Sequence, residues 1–202
     1  VACTFTNTRK TARVTVLKVV KNDNGGALKA SSFSVSNDGA VTKNAFVATT
    51  GDNGKYEYAS LPVGASYTFT EPEANTRGYT TDQSGCANVV VLADGSATCT
   101  ITNDDNAPSL KVVKNVVNDN GGTGVIADFG IKLGGSALSF GAGVTSGKTT
   151  TYTASPVVLA NTAYALSEQD LSAYSEGAWS CVDGSGTTVG TQQGLSASFT
   201  PA

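Results

Sequence analysis

The chain has 202 residues, 40% hydrophobic and 14% charged, with 23 Gly and a formal net charge of −3. That balance suits a β-rich protein of one or two domains and, with no basic stripe, excludes nucleic acid as an expected partner. The lack of histidine excludes Ser-His-Asp and Cys-His catalysis and histidine metal sites, and four cysteines without CxxC spacing give no zinc pattern.

The first element is Val1, Ala2, Cys3, Thr4, Phe5, Thr6 and Asn7, which alternate small or apolar residues with threonine and read as a β-strand. A second version, TCTITN, runs from Thr98 to Asn103, where it closes a domain. Methionine is absent, so a processed or excised product is expected. Further on, Val14, Val16, Lys18 and Val20 share one strand face, which sets a single lysine in an apolar row. NDNGG and GDNG follow; they offer oxygens like half a calcium loop, but Asn-Gly pairs are ordinary hairpin turns. No metal or cofactor is expected. In YTFTE, Tyr67, Phe69 and Glu71 share a face. Glu71 and Glu73 lie on one strand face without an opposing carboxylate, which is not a hydrolase pair. Cys86 and Cys99 flank ANVVVLADGSAT, read as two strands around an Ala-Asp-Gly-Ser turn, and a disulfide closing that hairpin is predicted.

After a turn-rich linker, DDNAP, the pattern repeats at an offset of about 96 residues, Lys18 to Lys114. VVKNVVNDNGG repeats VLKVVKNDNGG, ADFGI repeats SSFSV, YALSEQD repeats YTFTEPE, and Cys181 repeats Cys86. Gly78-Tyr79 has no evident counterpart. Leu110, Val112, Lys114 and Val116 share one face, as do Tyr164, Leu166 and Glu168. Trp179, the single tryptophan, is expected in core or rim packing rather than in sugar stacking. The expected fold is all-β, with an N-terminal donor strand at residues 1–9 and two tandem Ig-like sandwiches at 10–105 and 106–202. The second sandwich reaches Cys181 but has no copy of TCTITN; the only other copy opens the chain. A cut made out of phase in a tandem array would explain this. Strand addition from a neighbouring subunit explains it better, because it gives residues 1–7 a partner.

A lysine and a glutamate sharing one apolar core need a reason, since an unpaired buried charge is costly. A buried Lys–Glu pair with asparagine as hydrogen-bond partner is one reason. A spontaneous Lys–Asn isopeptide bond is the sharper one. Burial favours the neutral amine and the neutral acid, so the amine of Lys18 attacks the carboxamide of Asn103 while Glu71 moves protons. In the second domain Lys114 and Glu168 lack an asparagine, which Asn7 of another copy would supply. Cys3 and Cys181 are predicted to form an intersubunit disulfide, because Cys3 stands four residues before Asn7 as Cys99 does before Asn103.

A lysine in the first strand, a Y-x-F-x-E strand followed by E-P-E and GY, and an asparagine near the end of the last strand resemble the collagen-adhesin B-type repeats of Gram-positive surface and pilus proteins. The resemblance covers both domains and implies prealbumin-like sandwiches, often with self-made crosslinks. Neither an LPxTG signal nor a pilin-motif lysine is visible, which favours strand exchange over sortase assembly.

The expected function is a structural subunit of an extracellular filament, joined head to tail by N-terminal strand donation between identical subunits. Glu71 and Glu168 serve autocatalytic crosslinking only, and no enzyme acting on an external substrate is expected. Host or surface receptors are a further class of partner; no membrane span is expected. A stalk segment of a long tandem-repeat adhesin is the alternative. A carbohydrate- or protein-binding module is another, distinguished by a soluble monomer with ligand affinity.

Overall fold

The structure, a computed structural model, describes residues 1–39, 43–72, 77–93, 95–182 and 188–201. It is all-β and divides into two compact units, Val1–Asn106 and Ala107–Ala202.

In the first unit the strands are β1 (Thr11–Lys21), β2 (Ser36–Asn37), β3 (Val47–Ala48), β4 (Gly54–Pro62) and β5 (Ser66–Tyr67). They continue with β6 (Phe69–Thr70), β7 (Tyr79–Asp82), β8 (Val89–Val90) and β9 (Ser96–Asp105). The main sheet has the order β3-β4-β1-β9-β7. β1 is placed by its alternation: Ala12, Val14, Val16, Lys18 and Val20 are buried while the odd positions face outward or lie half-buried. β9 runs parallel to β1, with Lys18 opposite Ile101 and Val20 opposite Asn103. β1 is therefore paired on both edges, by β4 and by β9. Val14, Val16, Val35, Tyr58, Leu61, Phe69 and Ile101 are fully buried and form the core between this sheet and the short β2–β6 and β5–β8 ladders. Each such side chain contributes roughly 1.5–3 kcal/mol by leaving water.

The second unit has β10 (Val112–Val117), β11 (Lys132–Leu133), β12 (Ser136–Ala137), β13 (Val144–Ser146) and β14 (Thr149–Ala154). β15 (Tyr164–Ser167), β16 (Ala178–Val182), β17 (Thr188–Gln193) and β18 (Ser196–Phe199) follow. The sheets have the orders β10-β14-β13, β12-β11-β15-β18 and β16-β17. Their core gathers Val112, Val116, Phe129, Ile131, Leu133, Val158 and Leu166. Here β10, the counterpart of β1, is an edge strand. It pairs with β14, and among the described residues no strand takes the place that β9 holds beside β1.

Residues 1–10 have no secondary structure and are exposed, Phe5 at 94%. Cys86 and Cys99 are disulfide-bonded with Cα atoms 5.2 Å apart. The hairpin expected around them is corrected: Cys86 sits in a 3-10 turn (Ser84–Cys86), and β8 pairs with β5 rather than with β9. Asp94 of the expected Ala-Asp-Gly-Ser turn lies outside the described residues, as does Glu73.

Candidate functional site

In the first domain the site is assembled by strand alternation. Lys18 occupies an inward position of β1 and is completely buried, although its neighbours on that face are apolar. Glu71 follows β6 on the same face as Tyr67 and Phe69, and Asn103 is an inward residue of β9. Lys18 Nζ stands 3.0 Å from Glu71 Oε2, and both side chains are fully shielded from solvent. The two are not aligned for a hydrogen bond, and neither atom has another hydrogen-bond partner among the described residues. The amine also lies over the Phe33 ring, 4.9 Å from its centroid. The other carboxylate oxygen of Glu71, Oε1, accepts a 2.6 Å hydrogen bond from Asn103 Nδ2.

One carboxyl group thus touches both the amine and the carboxamide nitrogen. Burial holds the Lys18 pKa below its ordinary 10.5, against the opposing pull of the nearby Glu71 carboxylate. A neutral amine is the nucleophilic form. Thr81 Oγ1 donates a 3.2 Å hydrogen bond to Asn103 Oδ1, which fixes the carboxamide and polarises its carbonyl. Gln83 Oε1 accepts from the Glu71 backbone amide at 2.7 Å and holds the segment that carries the carboxyl group.

In the second domain Lys114 and Glu168 form an ion pair, and Lys114 Nζ lies 4.7 Å from the centroid of Phe129. The pair is less enclosed than its counterpart: the lysine side chain is 19% exposed and the glutamate 4%. It lies in a groove of about 990 Å³ along the free edge of β10, lined also by Val116, Phe129, Tyr174 and Trp179. Cys181 is half-buried in β16 with a free thiol, and Cys3 is an exposed free thiol in the first unit. Trp179 is half-buried beside the core, and its Nε1 donates to Gly194 O at 2.9 Å.

The statement that Gly78-Tyr79 has no counterpart is overturned: Tyr174 is the counterpart of Tyr79. Tyr79 Oη donates to Asn22 Oδ1 at 2.6 Å and accepts from Leu28 N at 3.1 Å. Tyr174 Oη does the same with Asn118 Oδ1 at 2.5 Å and Gly124 N at 2.6 Å. Each ring meets the phenylalanine under its lysine edge-on, Phe33 and Phe129, with centroids 5.3 Å apart in both. Both tyrosines demand a glycine in the NDNGG turn, since a Cβ at Gly26 would fall 2.5 Å from Tyr79 Oη and one at Gly122 2.7 Å from Tyr174 Oη.

Four side chains went unread in the sequence: Thr81, Phe33, Phe129 and Asp105, whose carboxylate accepts from the Asn24 and Gly26 amides. Phe33 and Phe129 carried a signal, because SSFSV and ADFGI align. Thr81 carried none, since a threonine in a strand is unremarkable until the register places it, half-buried, opposite Asn103.

A family model described as a SpaA prealbumin-like fold domain matches residues 13–105, and a second of the same description matches residues 105–200. No curated protein matches the chain. Domains of this type occur in bacterial pilus and surface proteins, which fits a structural role in a surface filament and points to an extracellular location. The geometry and both matches agree, and the chain belongs to the SpaA-type prealbumin-like domain family, with two such domains in tandem.

Proposed function

We propose that this protein is a structural subunit of an extracellular filament, in which residues 1–7 of one copy complete the second domain of the next. The observation that carries the reading is the open edge of β10 beside an ion pair that matches Lys18–Glu71 but lacks an asparagine. Carrying the β1–β9 register across sets Cys3 opposite Val112, Phe5 opposite Lys114 and Asn7 opposite Val116. Phe5 would take the core position that Ile101, fully buried, holds in the first domain. Burying a side chain of this size contributes roughly 1.5–3 kcal/mol, and the backbone ladder adds to it.

Covalent closure then follows the first domain. The Lys18 amine attacks the Asn103 carbonyl carbon, Glu71 takes a proton from the amine, and the same carboxyl group delivers it to the departing nitrogen. One amide forms, one carboxamide C–N bond breaks, and one ammonia leaves. Lys114 and Asn7 of the neighbouring copy would repeat this chemistry with Glu168, and Cys3 would pair with Cys181, the two thiols giving up two protons and two electrons to a thiol oxidant of the extracellular medium. Such contacts are heterologous, so a rotation that does not close gives an open filament.

Deleting residues 1–7 tests the reading. The expected product is a folded chain that no longer polymerises, and filaments from the deletion variant would refute donation. On denaturing gels, a ladder that survives heat and thiol reports the intersubunit isopeptide. A ladder lost on reduction reports the disulfide alone.

A further inference from the structure

The end of the closing strand differs between the two domains in charge. In the first domain Asp104 and Asp105 terminate β9. Asp104 lies opposite Lys21, with Oδ2 3.3 Å from Lys21 Nζ. Asp105 is buried and accepts from Asn24 N at 3.0 Å and Gly26 N at 2.5 Å, in the NDNGG turn. Although burial pushes the Asp105 carboxyl up, the amides of Gly26 and Asn24 and the Asn24 carboxamide together hold it below its ordinary value. The carboxylate oxygens of Asp23, Asp104 and Asp105 lie within 4.8 Å of one another, so Lys21 and the turn amides are what make this strand end tolerable.

The second domain keeps the acid and the turn but loses the lysine. Asp119 stands where Asp23 does, and Val117 replaces Lys21. Asp128, which lines the groove, stands where the first domain has Ser32. A strand ending NDD would add two carboxylates here with no lysine to offset them. The N-terminal segment, aligned on Asn7, instead brings Thr8 opposite Val117 and Arg9 to the Asp105 position, within ion-pair reach of the Asp119 position. Asn120, Gly121 and Gly122 are exposed, so the turn amides that Asp105 occupies in the first domain keep water as their partner in the second.

We infer that Arg9 of the incoming chain pairs with Asp119 at the end of the groove, and that this pair selects the N-terminal strand over the Ser96–Asp105 strand of another copy. The inference rests on strand donation. It adds a direction to assembly: a closing strand released from a partly unfolded first domain is repelled, so swapped dead ends are suppressed. In the free chain Arg9 Nη2 donates an exposed 3.1 Å hydrogen bond to Val63 O, a contact that assembly can replace.

The test uses the full chain and four variants: R9D, D119K, the R9D/D119K pair and the chain lacking residues 1–7. Both substituted side chains are exposed, and among the described residues Asp119 holds only the neighbouring Asn120 carboxamide, so each domain should fold normally. Assembly followed by light scattering at low salt should slow about tenfold in each single variant and return to within about twofold of the parent in the pair. The differences should shrink as ionic strength rises. A synthetic peptide of residues 1–10 should inhibit assembly, whereas one of residues 96–105 should not. Parent-rate assembly by R9D, or no recovery in the pair, overturns the charge lock while donation stands if the deletion still abolishes assembly. Parent-rate assembly by the deletion variant overturns both.

Discussion

Both domains place a lysine from the first strand against a glutamate and over a phenylalanine, and they differ in what completes the cluster. In the first, β9 covers the lysine, excludes water and presents Asn103 to Glu71 at 2.6 Å. In the second, the same edge is open, Lys114 is partly exposed, and no asparagine approaches the pair among the described residues. The contrast isolates the role of the closing strand. The tyrosine's hydrogen bonds and its contact with the phenylalanine are reproduced without it, so they preform the receptor, whereas enclosure of the amine and supply of the carboxamide come with the strand.

The strongest way to break the comparison is to make the first domain resemble the second. N103A removes the carboxamide proposed as the electrophile, and E71Q removes the carboxyl group proposed to move the proton. With the bond present, the wild-type chain loses the mass of one ammonia, and both variants keep it. By the chain-entropy model, a crosslink spanning Lys18 to Asn103 is worth about 4.5 kcal/mol, so the denaturation midpoint of the first domain should fall accordingly. An unchanged wild-type mass and no branched Lys18–Asn103 peptide after digestion would leave only the ion pair and its hydrogen bond.

A smaller effect is expected from the disulfide. Cys86 and Cys99 are separated by 13 residues, and replacing both with alanine should cost about 3 kcal/mol in the first domain while leaving the second unchanged. Equal loss in both domains, read by denaturant unfolding, would show that they do not unfold independently.

The smallest effect is in pH. In N103A the Lys18 amine still titrates, and its folded pKa is lowered from 10.5 by burial. The unfolded chain therefore binds more protons there, and stability should rise with pH through the window that ends near 10.5. Tyr58 works in the opposite sense: burial pushes it to about 12 from 10.0, so its contribution is full below 10.0 and is lost as pH rises towards 12. The rise should thus be read below pH 10.0. The proposed isopeptide would turn the wild-type Lys18 amine into an amide, and with that bond formed this rise should be absent.

Much of this was legible in the sequence, because a strand period of two places Lys18, Glu71 and Asn103 on inward faces whatever the strand order. The repeat also carried Lys114 and Glu168 across. The pairing of Cys86 with Cys99 was legible as well, but its setting was not. The apolar run Val89–Val91 reads as a strand against the next one, and only tertiary packing turns Val89 and Val90 towards β5. Tyr174 was missed because GY became AY. The glycine is dispensable there, and the hydroxyl that anchors Asn118 is the conserved chemistry within this chain. The Asp105 clamp was hidden because its partners are backbone amides, which leave no mark in side-chain spacing.

The most direct measurement of the central claim mixes isotopically labelled and unlabelled chains before assembly, then digests the unreduced polymer. Strand donation predicts a Cys3–Cys181 peptide pair with one labelled and one unlabelled half. Same-label pairs alone, or two free thiols in assembled material, would contradict it.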